Sequence, residues 1–292
     1  MASGILVVDK PEGWTSHDVV AKVRRLFGER RVGHSGTLDP MATGVLPVFL
    51  GRATRAVSFA VDSEKEYIAG LQLGVITDTQ DTTGTILETR PVSVGRKELE
   101  ALLPQFRGEQ MQRPPMYSAI KQNGKKLYEL ARAGQEVERA PRPVTFYTLE
   151  LLEGEGQSQW GPVFTLRVRC SKGTYVRTLC HDIGQALGCG GAMCALRRTH
   201  AAGFGLEQAV TMETLMEAED RAAFLLPVDT CFQQYPALTA SRQEERKIHN
   251  GMAYPCQAEE KRYRVYGPEG GFLMLGEVHQ GRMETVKSFF EV

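Results

Sequence analysis

The sequence predicts an α+β fold, a mixed sheet with flanking helices, followed by a small C-terminal β module. Three observations carry this. Strand-like and helix-like segments interleave without the regular alternation of a βα repeat. Glu66 to Leu73 and Val163 to Cys170 alternate apolar and polar residues, as half-buried strands do. Beyond a boundary near Pro227 to Pro236, short strand-like runs separated by turns replace the mixed pattern. We therefore expect one large domain over residues 1–232 and a small one over 233–292.

Taken in order, Ile5 to Val8 reads as a buried strand, closed by Asp9-Lys10-Pro11-Glu12-Gly13. Thr15 caps a helix, with Asp18 in capping-box position. Val19, Val23, Leu26 and Phe27 give that helix one apolar stripe, ending at Gly28. Val45 to Leu50 is apolar, and Ala53 to Ala60 reads as a short helix. In Glu66 to Leu73, residues Tyr67, Ala69, Leu71 and Leu73 share one face, so Tyr67 points inward. A tyrosine there is ordinarily packing, with its hydroxyl satisfied. Residues 75–84, rich in Thr, Asp and Gly, are expected to be loop. Lys97 to Phe106 reads as helix, Met111 to Lys121 as a proline-rich extended segment, and Lys125 to Ala133 as a helix ended by Gly134.

Val144 to Leu152 and Val163 to Cys170 read as adjacent strands. Ser171-Lys172-Gly173 then turns the chain into a helix opening at Thr174, whose buried stripe is Val176, Leu179, Ile183 and Leu187. Arg177 lies off that stripe in the first turn, where the helix dipole disfavours a cation. It needs a compensating anion, and Asp39 is the natural candidate. In the tail, Tyr263 to Tyr266, Phe272 to Leu275 and Arg282 to Phe289 read as short strands.

Composition excludes several classes of protein. With 42% hydrophobic and 24% charged residues, the chain reads as a soluble globular protein. No run approaches a membrane span, and the N-terminus lacks a basic-then-apolar signal pattern, so a cytoplasmic protein is expected. The six cysteines form no Cys-x-x-Cys pair. Cys189 and Cys194, with His181 and His200 nearby, lack the paired spacing of a structural metal site and read as small buried hydrophobes. No metal is expected. No cofactor is expected either, since neither a phosphate loop nor a dinucleotide-binding glycine motif is present. Net charge is zero, yet its distribution is uneven. Residues 167–200 carry Arg167, Arg169, Lys172, Arg177, Arg197 and Arg198 against Asp182 alone. Residues 113–142 set Arg113, Lys121, Lys125, Lys126, Arg132, Arg139 and Arg142, interleaved with Tyr117 and Tyr128, against Glu129, Glu136 and Glu138. A neutral chain can thus present a basic, aromatic face suited to nucleic acid.

The organising stretch runs from Gly33 to Arg55: Gly-His-Ser-Gly-Thr-Leu-Asp-Pro-Met-Ala-Thr-Gly-Val-Leu, then an apolar segment. Asp39 is its only carboxylate, with His34 upstream and Arg52 and Arg55 downstream. It could serve as a nucleophile or acid–base group. On spacing alone an Asp-Pro turn, with the carboxylate bonding its own backbone, is the simpler reading. This stretch resembles the signature motif of the bacterial tRNA pseudouridine-55 synthases of the TruB family, departing from it at Ser35, where threonine is usual. The resemblance extends over nearly the whole chain. It is strongest at 5–16, 33–55, 65–84, 113–132, 170–179 and 196–199.

The resemblance implies a mostly antiparallel mixed sheet of the pseudouridine synthase fold, with a PUA-like RNA-binding module at the C-terminus. It implies Asp39 as the catalytic aspartate, with Lys10 and Pro11 supporting its loop. Tyr67 is expected to stack on the target uracil and to handle the proton on its carbon 5. His34 is expected to wedge into the tRNA as the base departs, and Tyr175 and Leu196 to line the pocket. Arg177 is expected at the substrate site as the partner of Asp39. The partner implied is the T-arm of tRNA, clasped by the 113–142 region of a monomeric protein. Two rivals compete with an isomerase: an RNA chaperone in which Asp39 is structural, and a hydrolytic glycosidase, which would want two carboxylates flanking the bond.

Overall fold

The computed structural model describes residues 2–290. Ten strands share one sheet, ordered Val210–Thr211, Gly4–Lys10, Thr43–Leu50, Gly191–Ala201, Lys65–Leu73, Pro162–Cys170, Arg142–Gln157 and Gly108–Gln112, with Phe204–Gly205 and Val32–His34 paired alongside. Two junctions are parallel: Gly4–Lys10 with Val210–Thr211, and Thr43–Leu50 with Gly191–Ala201. The other ladders are antiparallel, so the sheet is mixed and mostly antiparallel, as expected. Helices lie against it. Val19, Val20 and Val23 of the helix Ser16–Phe27 pack on Leu6, Val8, Leu46 and Val48. Leu179 and Ile183 of the helix Val176–Ala186 pack among Tyr67, Leu71 and Phe164. The Thr15–Asp18 capping box forms, and Gly28 closes that first helix in the left-handed region at φ 61°.

Several segments differ from expectation. The strand Gly191–Ala201, in the middle of the sheet, carries small and charged residues that hide it from a propensity reading. Val75–Thr77, expected as loop, is a short strand paired with Ile86–Thr89, because its residues are β-branched and Gly74 only bends the chain after Leu73. The second long helix opens at Val176 rather than Thr174. Thr174 spends its hydroxyl on the Ser171 carbonyl at 2.9 Å, which leaves Tyr175 extended as the N-cap. A two-residue hairpin, Lys121–Gln122 with Lys125–Lys126, precedes the helix Leu127–Arg132.

Five strands of the tail form a second sheet, ordered Ala237–Thr239, Arg262–Tyr266, Phe272–His279, Arg282–Ser288 and Tyr254–Pro255. The helix Arg242–His249 was not foreseen, although Ser241 and Glu244 build its capping box. The tail docks through aromatic rings. Phe232 meets Phe59 edge-on at 5.4 Å and Phe289 at 5.6 Å, in a cluster shared with Ile5, Val7 and Phe49 of the large sheet. Arg55 adds a hydrogen bond to the Ser288 carbonyl at 3.0 Å. Among the described residues no helix is long and apolar enough to cross a membrane.

The parallel junction between Thr43–Leu50 and Gly191–Ala201 depends on one missing side chain. Gly44 has φ +100° and lies so close to the neighbouring strand that a Cβ there would sit 2.2 Å from the Arg198 carbonyl oxygen. Gly44→Ala should therefore cost about 2 kcal/mol or more in urea unfolding, from backbone strain plus the clash. A variant as stable as the parent would mean that the two strands part without penalty.

Candidate active site

The loop that carries Asp39 spans the gap between the strands Val32–His34 and Thr43–Leu50, and it is tied down on both sides of the carboxylate. The buried Ser16 hydroxyl accepts from the Leu38 N–H at 2.8 Å and donates to the Leu38 carbonyl at 3.2 Å. On the other flank the Pro40 carbonyl accepts from Gly13 N–H at 2.8 Å and from Lys10 Nζ at 3.2 Å. Lys10 is fully buried and also donates to the carbonyls of Pro11 and Trp14. Burial pulls its amine down to about 8. The Lys10 side chain and the Gly13 N–H thus hold the loop at the Pro40 carbonyl, while Pro11 contributes its carbonyl to Lys10, and the Asp39 side chain is left 39% exposed.

Arg177 meets Asp39, with Nε 3.0 Å from Oδ2. A two-pronged contact does not form, because the other two nitrogens are taken. Nη1 donates to the Thr79 carbonyl at 3.1 Å and lies 3.6 Å from Asp81 Oδ2, while Nη2 donates to the Tyr117 carbonyl at 2.8 Å. The Arg177 side chain is only 7% exposed, so it holds Asp39 and is not presented to a phosphate. Asp81 is itself buried, its Oδ1 accepting from the Thr79 hydroxyl and from the Thr83 N–H and hydroxyl. Of the two carboxylates beside Arg177, only Asp39 is open.

Tyr67 lies on the strand Lys65–Leu73 in the same apolar cluster as Leu38, Val176 and Leu196, and is 7% exposed. Burial raises its phenol, with the Arg198 guanidinium across the strand opposing the effect. Leu196 sits opposite Ala69 on the adjacent strand. Tyr175, the N-cap of the Arg177 helix, has its peptide clamped by the Gln112 side chain, which accepts from Tyr175 N–H at 2.8 Å and donates to its carbonyl at 3.0 Å. His34 stands to one side. Its Nδ1 accepts from Gly36 N–H at 3.2 Å, and its ring meets His17 edge-on at 5.7 Å. Ser35, where the family motif carries threonine, buries a hydroxyl without a hydrogen-bond partner among the described residues.

Sequence reasoning missed Asp81 as the second anchor of Arg177, and it missed Arg198. The latter is 1% exposed and donates from Nε to the Val45 carbonyl at 2.7 Å and from Nη2 to the Gly36 carbonyl at 3.1 Å. The signal was present: in a strand Arg198 shares a face with Leu196, and so points into the protein.

Burial holds the His34 imidazole down to about 4, with His17 and Arg198 disfavouring its charge further. In an unfolded chain histidine titrates near 6.5. Between those values the unfolded state binds the additional proton, so stability falls as pH is lowered through this window. His34→Asn should flatten that fall, measured as urea midpoints between pH 6.5 and 4. An unchanged slope would sink this assignment.

Comparison with known proteins gives the site its context. Residues 24–176 match "TruB family pseudouridylate synthase (N terminal domain)", and residues 177–233 match "tRNA pseudouridylate synthase B C-terminal domain". The chain is 47% identical over 288 residues to tRNA pseudouridine synthase B of Stutzerimonas stutzeri, covering 95% of this chain and 92% of that one. It is 41% identical over 292 residues to the same enzyme of Clostridium kluyveri, covering 98% and 99%. A solved structure, "Crystal Structure of a Cbf5-Nop10-Gar1 Complex", matches with a TM-score of 0.73 at 27% identity, over 98% of this chain and 85% of that one. The first family segment supplies Asp39 and the second supplies Arg177, so the salt bridge joins the two. By both segments and by identity along almost its full length, the chain belongs to the TruB family of pseudouridylate synthases.

Proposed function

We propose that this isomerase converts uridine 55 in the T-loop of tRNA to pseudouridine, with Asp39 as the group that opens the glycosidic bond. The observation that carries the reading is the Asp39–Arg177 pair: one exposed carboxylate, on a loop fixed at both flanks, beside a buried guanidinium. The base must first leave its stack, at a cost of a few kcal/mol. Contact with an aromatic side chain returns roughly 1–3 kcal/mol, and Tyr67 is the ring placed to supply it. Leu196 and Tyr175 line the pocket, and His34 occupies the space the departing base leaves. Uracil is then rotated and rejoined to the ribose through carbon 5. No electrons change hands and no water is consumed, so the reaction calls for no cofactor. A hydrolytic glycosidase would need a second open carboxylate; Asp81, the nearest candidate, is buried and held between Thr79, Thr83 and Arg177.

In this reading the T-arm lies against residues 113–142, where Arg113, Lys125 and Arg132 are exposed and Tyr128 carries Lys126 and Arg132 over its ring at 5.3 and 5.4 Å. Residues 233–292 act as an additional RNA-binding module, and the protein works as a monomer in the cytoplasm, where its tRNA is.

Asp39→Asn should abolish pseudouridine formation, read by mass spectrometry of chemically labelled tRNA. Binding should stay within about tenfold of the parent, equivalent to about 1.4 kcal/mol. Full activity in that variant would remove Asp39 from the chemistry and favour a chaperone. tRNA affinity should also weaken steeply with salt. Arg113, Lys125 or Arg132 changed to alanine should each lower the slope of log affinity against log salt by about one. A salt-independent affinity would mean that these side chains do not meet phosphate.

A further inference from the structure

One deeply buried charge near Asp39 takes no part in the scheme above. Arg198 lies on the central strand with its guanidinium enclosed, and among the described residues no carboxylate is paired with it. Its hydrogen-bond acceptors are two backbone carbonyls, Val45 and Gly36, and its direct cross-strand neighbour is Tyr67, whose phenol lies in the field of the guanidinium. Such a site is costly, since a buried cation normally has an anion beside it. Simple packing would be met by a leucine or methionine in this apolar cluster.

An arginine has only donors to offer. Facing such a neighbour across the strand, the Tyr67 oxygen can only accept, and its own proton is directed away from the guanidinium. Among the described residues no side chain or carbonyl accepts that proton, which leaves it to a substrate. The geometry points to Arg198 as the positioning residue of Tyr67: held by the Val45 and Gly36 carbonyls directly across the strand from Tyr67, it fixes the phenol oxygen and steadies negative charge there while a proton passes. It presupposes the isomerisation proposed above, and names the group through which Tyr67 is made competent. Rejoining uracil through carbon 5 removes one proton from that carbon and places one on nitrogen 1. The phenol can surrender the proton it holds and regain one, with no net gain or loss, while the guanidinium stays charged throughout. A guanidinium suits this place because its planar fork reaches acceptors set wider apart than the donors of a single ammonium nitrogen.

The test uses the full chain and tRNA. Arg198→Gln should lower the single-turnover rate of pseudouridine formation at least about tenfold, with tRNA affinity within about twofold of the parent. A second readout is the tyrosinate absorbance, taken as the difference between each protein and its Tyr67→Phe counterpart, which isolates one tyrosine of nine. In the Arg198→Gln background Tyr67 should ionise at higher pH, because its phenolate has lost the neighbouring cation. An unchanged rate, or an unmoved Tyr67 titration, would overturn the inference. If the parent itself makes no pseudouridine, the isomerase reading fails instead, and the titration still reports on the pair. Should Arg198→Gln not fold, Tyr67→Phe approaches the pair from the other side, leaving Arg198 and its two carbonyl bonds intact. That variant should melt below the parent, as expected for a buried guanidinium left short of an acceptor; a melting temperature equal or higher would also overturn the pairing.

Discussion

A positive charge in the first turn of a buried helix is unfavourable twice over, once from the helix dipole and once from lost hydration. Arg177 occupies such a place, and much of the site follows from how that cost is met. Its three nitrogens find acceptors on three separate stretches of chain: the Asp39 loop, the turn at Thr79 to Asp81, and the extended segment at Tyr117. None of these stretches is adjacent in sequence. Satisfying the guanidinium therefore fixes their relative positions, and the carboxylate is oriented as a by-product of solvation. A lysine, with all its donors on one nitrogen, could not span the three.

The sheet makes this arrangement possible by bringing two arginines to the site from different elements. Arg177 arrives on a helix and is matched by carboxylates; Arg198 arrives on the central strand and is matched by carbonyls and a phenol. Lys10 follows the second pattern, with three carbonyls around its amine. The floor of the site thus holds more buried positive charge than negative. Such a setting favours ligands that are anionic or that become so during reaction. Neutralising it with nearby acids would have been the cheaper solution for folding alone.

Much of this was legible in the sequence where a residue obeys a local rule. Thr15 and Asp18 announced the first helix, and the alternation from Tyr67 to Leu73 placed the tyrosine inward. The mismatch between Arg177 and its helix dipole pointed to Asp39 before any coordinates did, and the salt bridge is there. What escaped was set by tertiary contacts. The strand Gly191–Ala201 is specified by its neighbours on either side, not by its own glycine, alanines and arginines, and Arg198 was lost with it. Asp81 looked like one more polar residue in a threonine-rich turn, since its role depends on a helix nearly a hundred positions away. The helix Arg242–His249 was missed for a different reason: its capping box was readable, but the surrounding short strands drew the segment into their pattern.

The aromatic seam under the tail has a consequence for how such a chain can be rearranged in evolution. Phe232 sits in the connecting segment, yet its ring is shared by both sheets, with Phe59 on one side and Phe272 and Phe289 on the other. The large sheet is therefore not a freestanding unit to which any tail can be spliced. A substitute module would have to bring its own apolar plug for the exposed back of the first and third strands of the chain, Gly4–Lys10 and Thr43–Leu50. The latter strand leads directly out of the Asp39 loop. Recombination at the connecting segment would thus inherit a lock, and lineages can trade the tail only for another that fits it.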